Sequence, residues 1–456
     1  MPGSNEQAHS GACRVRNDEQ GVALQLGRYS AGVNARLFDH DTREAVYRCV
    51  LDAITSAAAA LDQPGVQAAQ RAACVVHGSG ESPLWFSGYK ASVGAAMLAN
   101  STATAALDLD DGYRAARGHP GAAVIPAALA LLLSQPSVTV DDFLAAVVAG
   151  YEVGVRMAMA RLSYAPSGAW SGFAVVACAG RLLGAPAEVI AHALAIVVQT
   201  APAMPVLAGI AGSDVKEGIP AGVAAGWSAL QLALAGYSGP LCVLDDRRLF
   251  DSHIALRNLN AAPLIGGTYF KRFGCCRHIH APLEALMGLQ AVHGVQSQDV
   301  AGIEVFTYQA TFNLSNMPRP RTLVDAQYST PYCLALCLLR GADALLPLTI
   351  DGLRDEAVGD LAQRITVTHD EAIEHLFPAR SPARVAVVLA NGQRFESALT
   401  DPRGDPDRPL SWADLVHKLS VATASTLSPT RRQAVLDGMA GLRAGDSAIL
   451  SNALSA

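Results

Sequence analysis

Residues 107–126 read Leu-Asp-Leu-Asp-Asp-Gly-Tyr-Arg-Ala-Ala-Arg-Gly-His-Pro-Gly-Ala-Ala-Val-Ile-Pro, and their side chains could do chemistry. Asp108, Asp110, Asp111, Arg114, Arg117 and His119 put three carboxylates, two guanidiniums and an imidazole into twelve positions. Such a set serves either metal ligation or proton transfer. The metal reading is the weaker of the two, because the sequence has neither a second Asp-rich motif nor a His-x-x-x-His pair. On a continued helix Asp108 and Asp111 would share a face while Asp110 pointed elsewhere. The cluster at 245–253 matches this one in charge but lacks its Gly and Pro hinges.

Proton transfer on a small acid also needs fixed positive charge, and lysine is rare in this chain. Lys90, Lys216, Lys271 and Lys418 are the only four. Lys216 sits in Gly-Ser-Asp-Val-Lys-Glu-Gly-Ile-Pro-Ala-Gly, between an apolar run and a helix start. Lys271, Arg272, Arg277, His278 and His280 place five potential cations in ten residues. Point charges together with a guanidinium fork suit the binding of several carboxylates.

The elements that must position these groups follow from hydrophobic periodicity. Small, mostly apolar residues at 93–106 permit a helix, which leaves the three aspartates at its C-terminal end. There the helix dipole disfavours each by roughly 0.3–1 kcal/mol. Gly112 suits the left-handed residue that ends a helix, and Pro120 the first turn of the next. His119 is thereby aimed from a loop, beside a helix N-terminus that favours anions.

Helical patterns cover 41–61, 93–107, 126–133, 141–162, 171–183, 187–199 and 220–234, which predicts an all-α domain. Gly218, Gly222 and Gly226 at helical spacing predict close helix approach. From 268 the texture changes. Alternating strands at 302–311 and 364–369, an Asn391-Gly392 hairpin between 384–390 and 393–399, and helices at 282–293 and 330–340 predict a smaller α+β domain. Helical pattern returns at 412–419 and 429–442. The fold class is mainly α, divided as 1–267, 268–400 and a 401–456 tail that rejoins the helical domain.

Composition narrows the function. Of the 456 residues 51% are hydrophobic and 16% charged, which predicts a large buried volume and an oligomer interface. Apolar runs such as 122–133 are shorter than the roughly 18–20 residues of a membrane span. The N-terminal stretch carries Glu6, Arg14, Arg16, Asp18 and Glu19 with no apolar core, unlike a secretory signal, so a cytoplasmic location is expected. A net charge of −6 argues against nucleic acid as a partner. Nine cysteines without a C-x-x-C pair predict reduced, mostly buried thiols. The adjacent Cys275 and Cys276 lack the spacing of iron–sulfur ligands.

Four stretches in order resemble the MmgE/PrpD family. They are Asp108-Leu-Asp-Asp with His119-Pro-Gly-Ala-Ala-Val-Ile-Pro, then Ser213-Asp-Val-Lys216, then Lys271 to His278 with Cys-Cys-Arg-His, and Asp325-Ala-Gln-Tyr-Ser-Thr-Pro-Tyr332. The family includes 2-methylcitrate dehydratase, cis-aconitate decarboxylase and iminodisuccinate epimerase. The resemblance implies a large helical domain, discontinuous in sequence, with a smaller α+β lid, in a homodimer and without a cofactor. It also implies that Asp108, His119, Lys216, Lys271, His278 and Tyr332 line a cleft between the two. One departure stands out: decarboxylase-like members tend to carry Thr where this chain has Gly112, and the loop to His119 is one residue longer.

The shared chemistry makes or quenches a carbanion beside a carboxylate. Lys216 and Lys271 are expected to stabilise the developing dianion, with Arg277 as helper and Arg277 and His278 as substrate-binding residues. His119 is expected to be the general base or acid. Asp108 either orients His119 or carries a proton itself; neighbouring carboxylates would raise its pKa and a cation would oppose that. Tyr332 is expected to donate to a substrate carboxylate or the leaving hydroxyl. The resulting expectation is a cofactor-independent lyase dehydrating a 2-methylcitrate-like hydroxy tricarboxylate. Decarboxylation of cis-aconitate, epimerisation of an iminodisuccinate-type acid, and a non-catalytic polycarboxylate-binding relative are the alternatives.

Overall fold

The computed structural model describes residues 21–202 and 213–456. The charged N-terminal stretch from Glu6 to Glu19 and the glycine at 212 lie outside the described residues. Helix accounts for 58% of the structure and strand for 8%, so the protein is mainly α with a smaller α+β region.

Among the described residues the longer helices of the first part are α1 (Val22–Gly32), α2 (His40–Ala59), α3 (Pro64–His77), α4 (Val93–Ala105), α5 (Gly121–Leu132), α6 (Val140–Ala160), α7 (Gly168–Leu182), α8 (Ala187–Thr200) and α9 (Ile219–Leu234). Because α5 has no polar side chain, it can be buried on every face, and all twelve of its residues are. It begins five residues before the pattern at 126–133, since Pro120 caps it and Pro126 lies within it. Neither α1 nor α3 was expected from the pattern.

Helix α6 starts at a Thr139/Asp142 capping box and is the one described helix long and apolar enough to cross a membrane. Its apolar window is 89% buried inside the protein, as in a core helix. Helices α7 and α9 meet through glycines: a Cβ on Gly222 would lie 2.3 Å from the Gly168 carbonyl oxygen, and one on Gly226 2.4 Å from that of Gly172.

Two hydrophobic cores organise these elements. The first draws on α1 to α9 and also on Leu415, Leu419, Val435, Met439, Leu450 and Leu454 from three C-terminal helices, Trp412–Ala422, Pro429–Arg443 and Ala448–Ser455. The second runs from Phe273 to Val387. It lies between the helices Arg277–His293 and Thr330–Arg340 and a four-stranded sheet. In that sheet Val300–Thr307 pairs in parallel with Ile365–His369 and antiparallel with Arg384–Leu389, which pairs in turn with Arg394–Glu396. Gly392 takes the left-handed conformation the Asn-Gly turn requires. The strand expected over 302–311 stops at Thr307, and Gln309–Asn313 forms a 3-10 turn.

Two expectations need correction. Asp108, not Gly112, takes the left-handed conformation after α4, with φ +54°. Aspartate tolerates that region because its short polar side chain can be satisfied locally. Gly112 instead opens a two-residue strand, Gly112–Tyr113, paired with Thr268–Tyr269. A Cβ on Gly112 would meet the Tyr269 ring at 2.3 Å, so glycine lets the ring lie across the strand. Secondly, Cys242 is disulfide-bonded, while Cys49, Cys74, Cys178, Cys275, Cys276, Cys333 and Cys337 are free.

Candidate active site

The Gly112–Tyr113 ribbon carries the chain of Lys271 back to the loop that holds Asp108. Lys271 is 1% exposed; its ammonium donates to the Asp108 carbonyl at 3.0 Å and lies 3.0 Å from Asp108 Oδ2. Lys216 arrives just before α9, itself left-handed at φ +52°, and donates to Asp108 Oδ1 at 2.8 Å. It also reaches Gln327 Oε1 at 3.0 Å and the Tyr328 hydroxyl at 3.2 Å.

Burial alone would raise the pKa of Asp108, but Lys216 and Lys271 outweigh it and hold the carboxyl well below the usual range. Burial would likewise lower Lys271, and Asp108 reverses that, so Lys271 is held above its ordinary value. Asp108 is therefore an anion fixed between two cations. Of the two opposing influences expected on Asp108, the cations prevail over burial and the neighbouring carboxylates.

His119 faces the same space from the start of α5. Its backbone N–H donates to Ser167 Oγ at 3.0 Å, and its Nδ1 lies 2.7 Å from the Asp111 carbonyl oxygen. A carbonyl only accepts, so Nδ1 carries the hydrogen and the neutral ring offers its lone pair at Nε2. Asp110 Oδ2 lies 3.4 Å from Nδ1. Around Nε2 stand Asp108 Oδ1 at 3.9 Å and Glu217 Oε1 at 3.7 Å.

Asp111 does not share a helix face with Asp108. Its carboxylate turns inward and accepts from Gly121 N at 2.9 Å and Tyr151 OH at 2.5 Å, which caps α5. Burial, then Asp52 and Asp110, push Asp111 up to about 7. Asp108 is thus held by two lysines and Asp111 by Gly121 and Tyr151, while Asp110 Oδ2 is buried without a hydrogen-bond donor. Among the described residues no group of three or more His, Cys, Asp or Glu is arranged to hold a metal ion.

A cavity of about 230 Å³ joins these groups to Arg114, Arg117, Tyr164, Tyr269, Cys276, Arg277, His278, Tyr308 and Tyr328. Arg277 and His278 open the helix Arg277–His293, whose N-terminus is thereby turned to the cavity, a placement that favours anions. Arg277 stacks 4.6 Å from the Tyr269 ring centre, and its Nη2 shares Asp405 Oδ2 with Arg114. His278 Nδ1 lies 2.6 Å from the Tyr308 hydroxyl; burial, then Arg114, lower its pKa to about 4. At neutral pH it is therefore an uncharged hydrogen-bonding group. Burial and then Asp108 push the Cys276 thiol up to about 12, which leaves no thiolate for nucleophilic work.

Of the residues singled out in the sequence, Asp108, His119, Lys216, Lys271, Arg277 and His278 come together around one cavity. Tyr332 does not. It is 2% exposed in the core of the smaller region, against Gly352, and its hydroxyl has no hydrogen-bond partner. Tyr328 lines the cavity instead, because the helix is interrupted between Leu323–Gln327 and Thr330–Arg340 and the two tyrosines are separated. Glu217, Tyr269 and Arg114 were not expected at the site, although all three belong to segments the sequence marks as unusual. Lys418 is another addition: its ammonium donates to the Leu109 carbonyl and to Asp52 Oδ1, each at 2.6 Å.

The MmgE/PrpD N-terminal domain model matches residues 24–258, and the MmgE/PrpD C-terminal domain model matches residues 273–441. The chain belongs to the MmgE/PrpD family. Among curated proteins it is similar to a cis-aconitate decarboxylase of Aspergillus terreus (strain NIH 2624 / FGSC A1156), 23% identical over 92% of this chain and 93% of that one. A second cis-aconitate decarboxylase of Aspergillus terreus is 23% identical over 93% and 94% respectively. The family's two domain models meet between 258 and 273, the stretch in which the strand Thr268–Tyr269 lies.

Proposed function

We propose that this protein is a lyase that removes a proton from carbon beside a carboxylate, dehydrating a 2-methylcitrate-like hydroxy tricarboxylate. The observation that carries this reading is an imidazole whose Nε2 is free, set in one small cavity with two ammonium groups locked on a single carboxylate. A proton next to an ionised carboxylate is very weakly acidic, so a base alone is insufficient. Lys216 and Lys271, already fixed in place, lower the energy of the dianion as it forms without reorganising. His119 is the base, since Asp108 would have to break two buried ion pairs to accept a proton. Five permanent cations, Arg114, Arg117, Lys216, Lys271 and Arg277, and two carboxylates, Asp108 and Glu217, line the cavity, an excess suited to a tricarboxylate.

A second reading, decarboxylation of cis-aconitate, is favoured by the names of the two Aspergillus terreus relatives. Loss of carbon dioxide makes the same carbanion, which a protonated His119 would quench. Purified protein, incubated with hydroxy tricarboxylates and with cis-aconitate, should gain ultraviolet absorbance from a new conjugated double bond with the former. Carbon dioxide from cis-aconitate without that absorbance would favour the second reading. Prior treatment with a chelator should leave turnover unchanged, because lysines rather than a metal neutralise the intermediate.

A further inference from the structure

Two carboxylates flank His119 Nε2, and they are not equivalent. Asp108 is tied to Lys216 and Lys271. Glu217 pairs, among the described residues, with no lysine or arginine; the basic side chain facing it is His119, whose Nε2 lies 3.7 Å from Glu217 Oε1. Its Oε2 accepts from Ser167 N at 3.1 Å and Ser167 Oγ at 2.5 Å, at the start of α7. That leaves Oε1 turned to His119 and the cavity, which Glu217 lines.

The backbone is shaped for this placement. Left-handed Lys216 and Gly218, at φ +52° and +72°, flank Glu217, and the Glu217 carbonyl accepts from Gly168 N at 3.0 Å. A Cβ on Gly168 would lie 2.4 Å from the Gly218 carbonyl oxygen, so the segment seats directly on the end of α7. Strained conformations of this kind are held only where the surroundings fix them.

We propose that Glu217 is the second proton-transfer residue, the acid that protonates the departing hydroxyl while His119 takes the proton from carbon. This rests on the dehydration reading. For this cycle the Glu217–His119 pair has to enter with one proton, on Glu217 Oε1, and a neutral imidazole. His119 Nε2 removes the proton beside the substrate carboxylate, and the C–H electron pair becomes the new double bond. The C–O bond breaks with its electrons on oxygen, which takes the Glu217 proton and leaves as water. The proton on His119 then passes to Glu217 Oε1, and both groups return to their starting forms. Their 3.7 Å spacing is that of a pair that tightens on loading or transfers through one water.

The test uses the full chain in deuterated water with the hydroxy tricarboxylate, NMR reading both deuterium in recovered substrate and alkene product. Wild type should show both. Glu217→Gln should lose elimination by about 100-fold or more yet still exchange the carbon-bound proton. Elimination within threefold of wild type, or loss of exchange together with elimination, would overturn the acid role. Should Glu217→Gln fail to fold, Glu217→Asp takes its place and should show the same split in weaker form.

A wild-type protein that neither exchanges nor eliminates any hydroxy tricarboxylate sinks the dehydration reading instead, and the acid role with it.

Discussion

Asp108 is an anion because Lys216 and Lys271 hold it so, and each member of that triad has a different replacement cost. Lys271→Met leaves Asp108 with one cation in a buried site, and breaking a buried pair costs about 3–5 kcal/mol. Chemical denaturation should show a loss of that order, with turnover falling as well. Tyr328→Phe removes a hydroxyl 3.2 Å from Lys216 and should lower kcat/KM, whereas Tyr332→Phe should leave it within about twofold. Steady-state kinetics on the two variants decides which tyrosine serves the site. Asp108, His119, Lys216 and Lys271 were legible in the sequence because charge is scarce in this chain and such residues stand out. The tyrosine was not: residues four apart share a face on a continuous helix, and an interruption of the helix between them separates 328 from 332.

At the scale of elements, the loop after α4 is held by a ribbon on one side and a helix cap on the other. Gly112→Thr drives a side chain into the Tyr269 ring, which should destabilise the fold by about 1–3 kcal/mol. Tyr269→Ala in the same chain should recover most of that stability, as thermal melts of the single and double variants would show. The cap has a pH signature. With Asp111 at about 7 against an ordinary 3.8, the folded state binds more protons between those values than the unfolded chain does. This contribution to stability therefore falls as pH rises from about 4 to 7, by at most about 1.4 kcal/mol per unit. Asp111→Asn removes the titration, so its stability relative to wild type should climb across that window in denaturant titrations at stepped pH. The histidines depressed by burial, His278 and His280, titrate in both proteins and cancel in the difference. Helix identities here were largely legible, since periodicity marks α4, α6 and α7. The loop was not, because Asp108 turns the chain where a glycine was the obvious choice.

Across the whole molecule, three of the four lysines converge on residues 108 and 109, each from a different part of the sequence. Lys418 comes from the C-terminal helix Trp412–Ala422 and is 2% exposed. Lys418→Met strands Asp52 and should cost about 3–5 kcal/mol, while the double variant with Asp52→Asn should regain part of it. That the tail returns to the helical core was readable from its apolar pattern. That it supports the acidic loop was not, since a contact spanning 309 residues leaves no local trace.

The central claim is that His119, beside two fixed ammonium groups, removes a proton from carbon next to a carboxylate. The most direct measurement is deuterium uptake at that carbon during incubation with a hydroxy tricarboxylate in heavy water, for wild type and His119→Asn. The predicted result is ready uptake with wild type and a loss of about 100-fold or more with His119→Asn, both proteins folding alike by circular dichroism. Uptake by His119→Asn at the wild-type rate would contradict it.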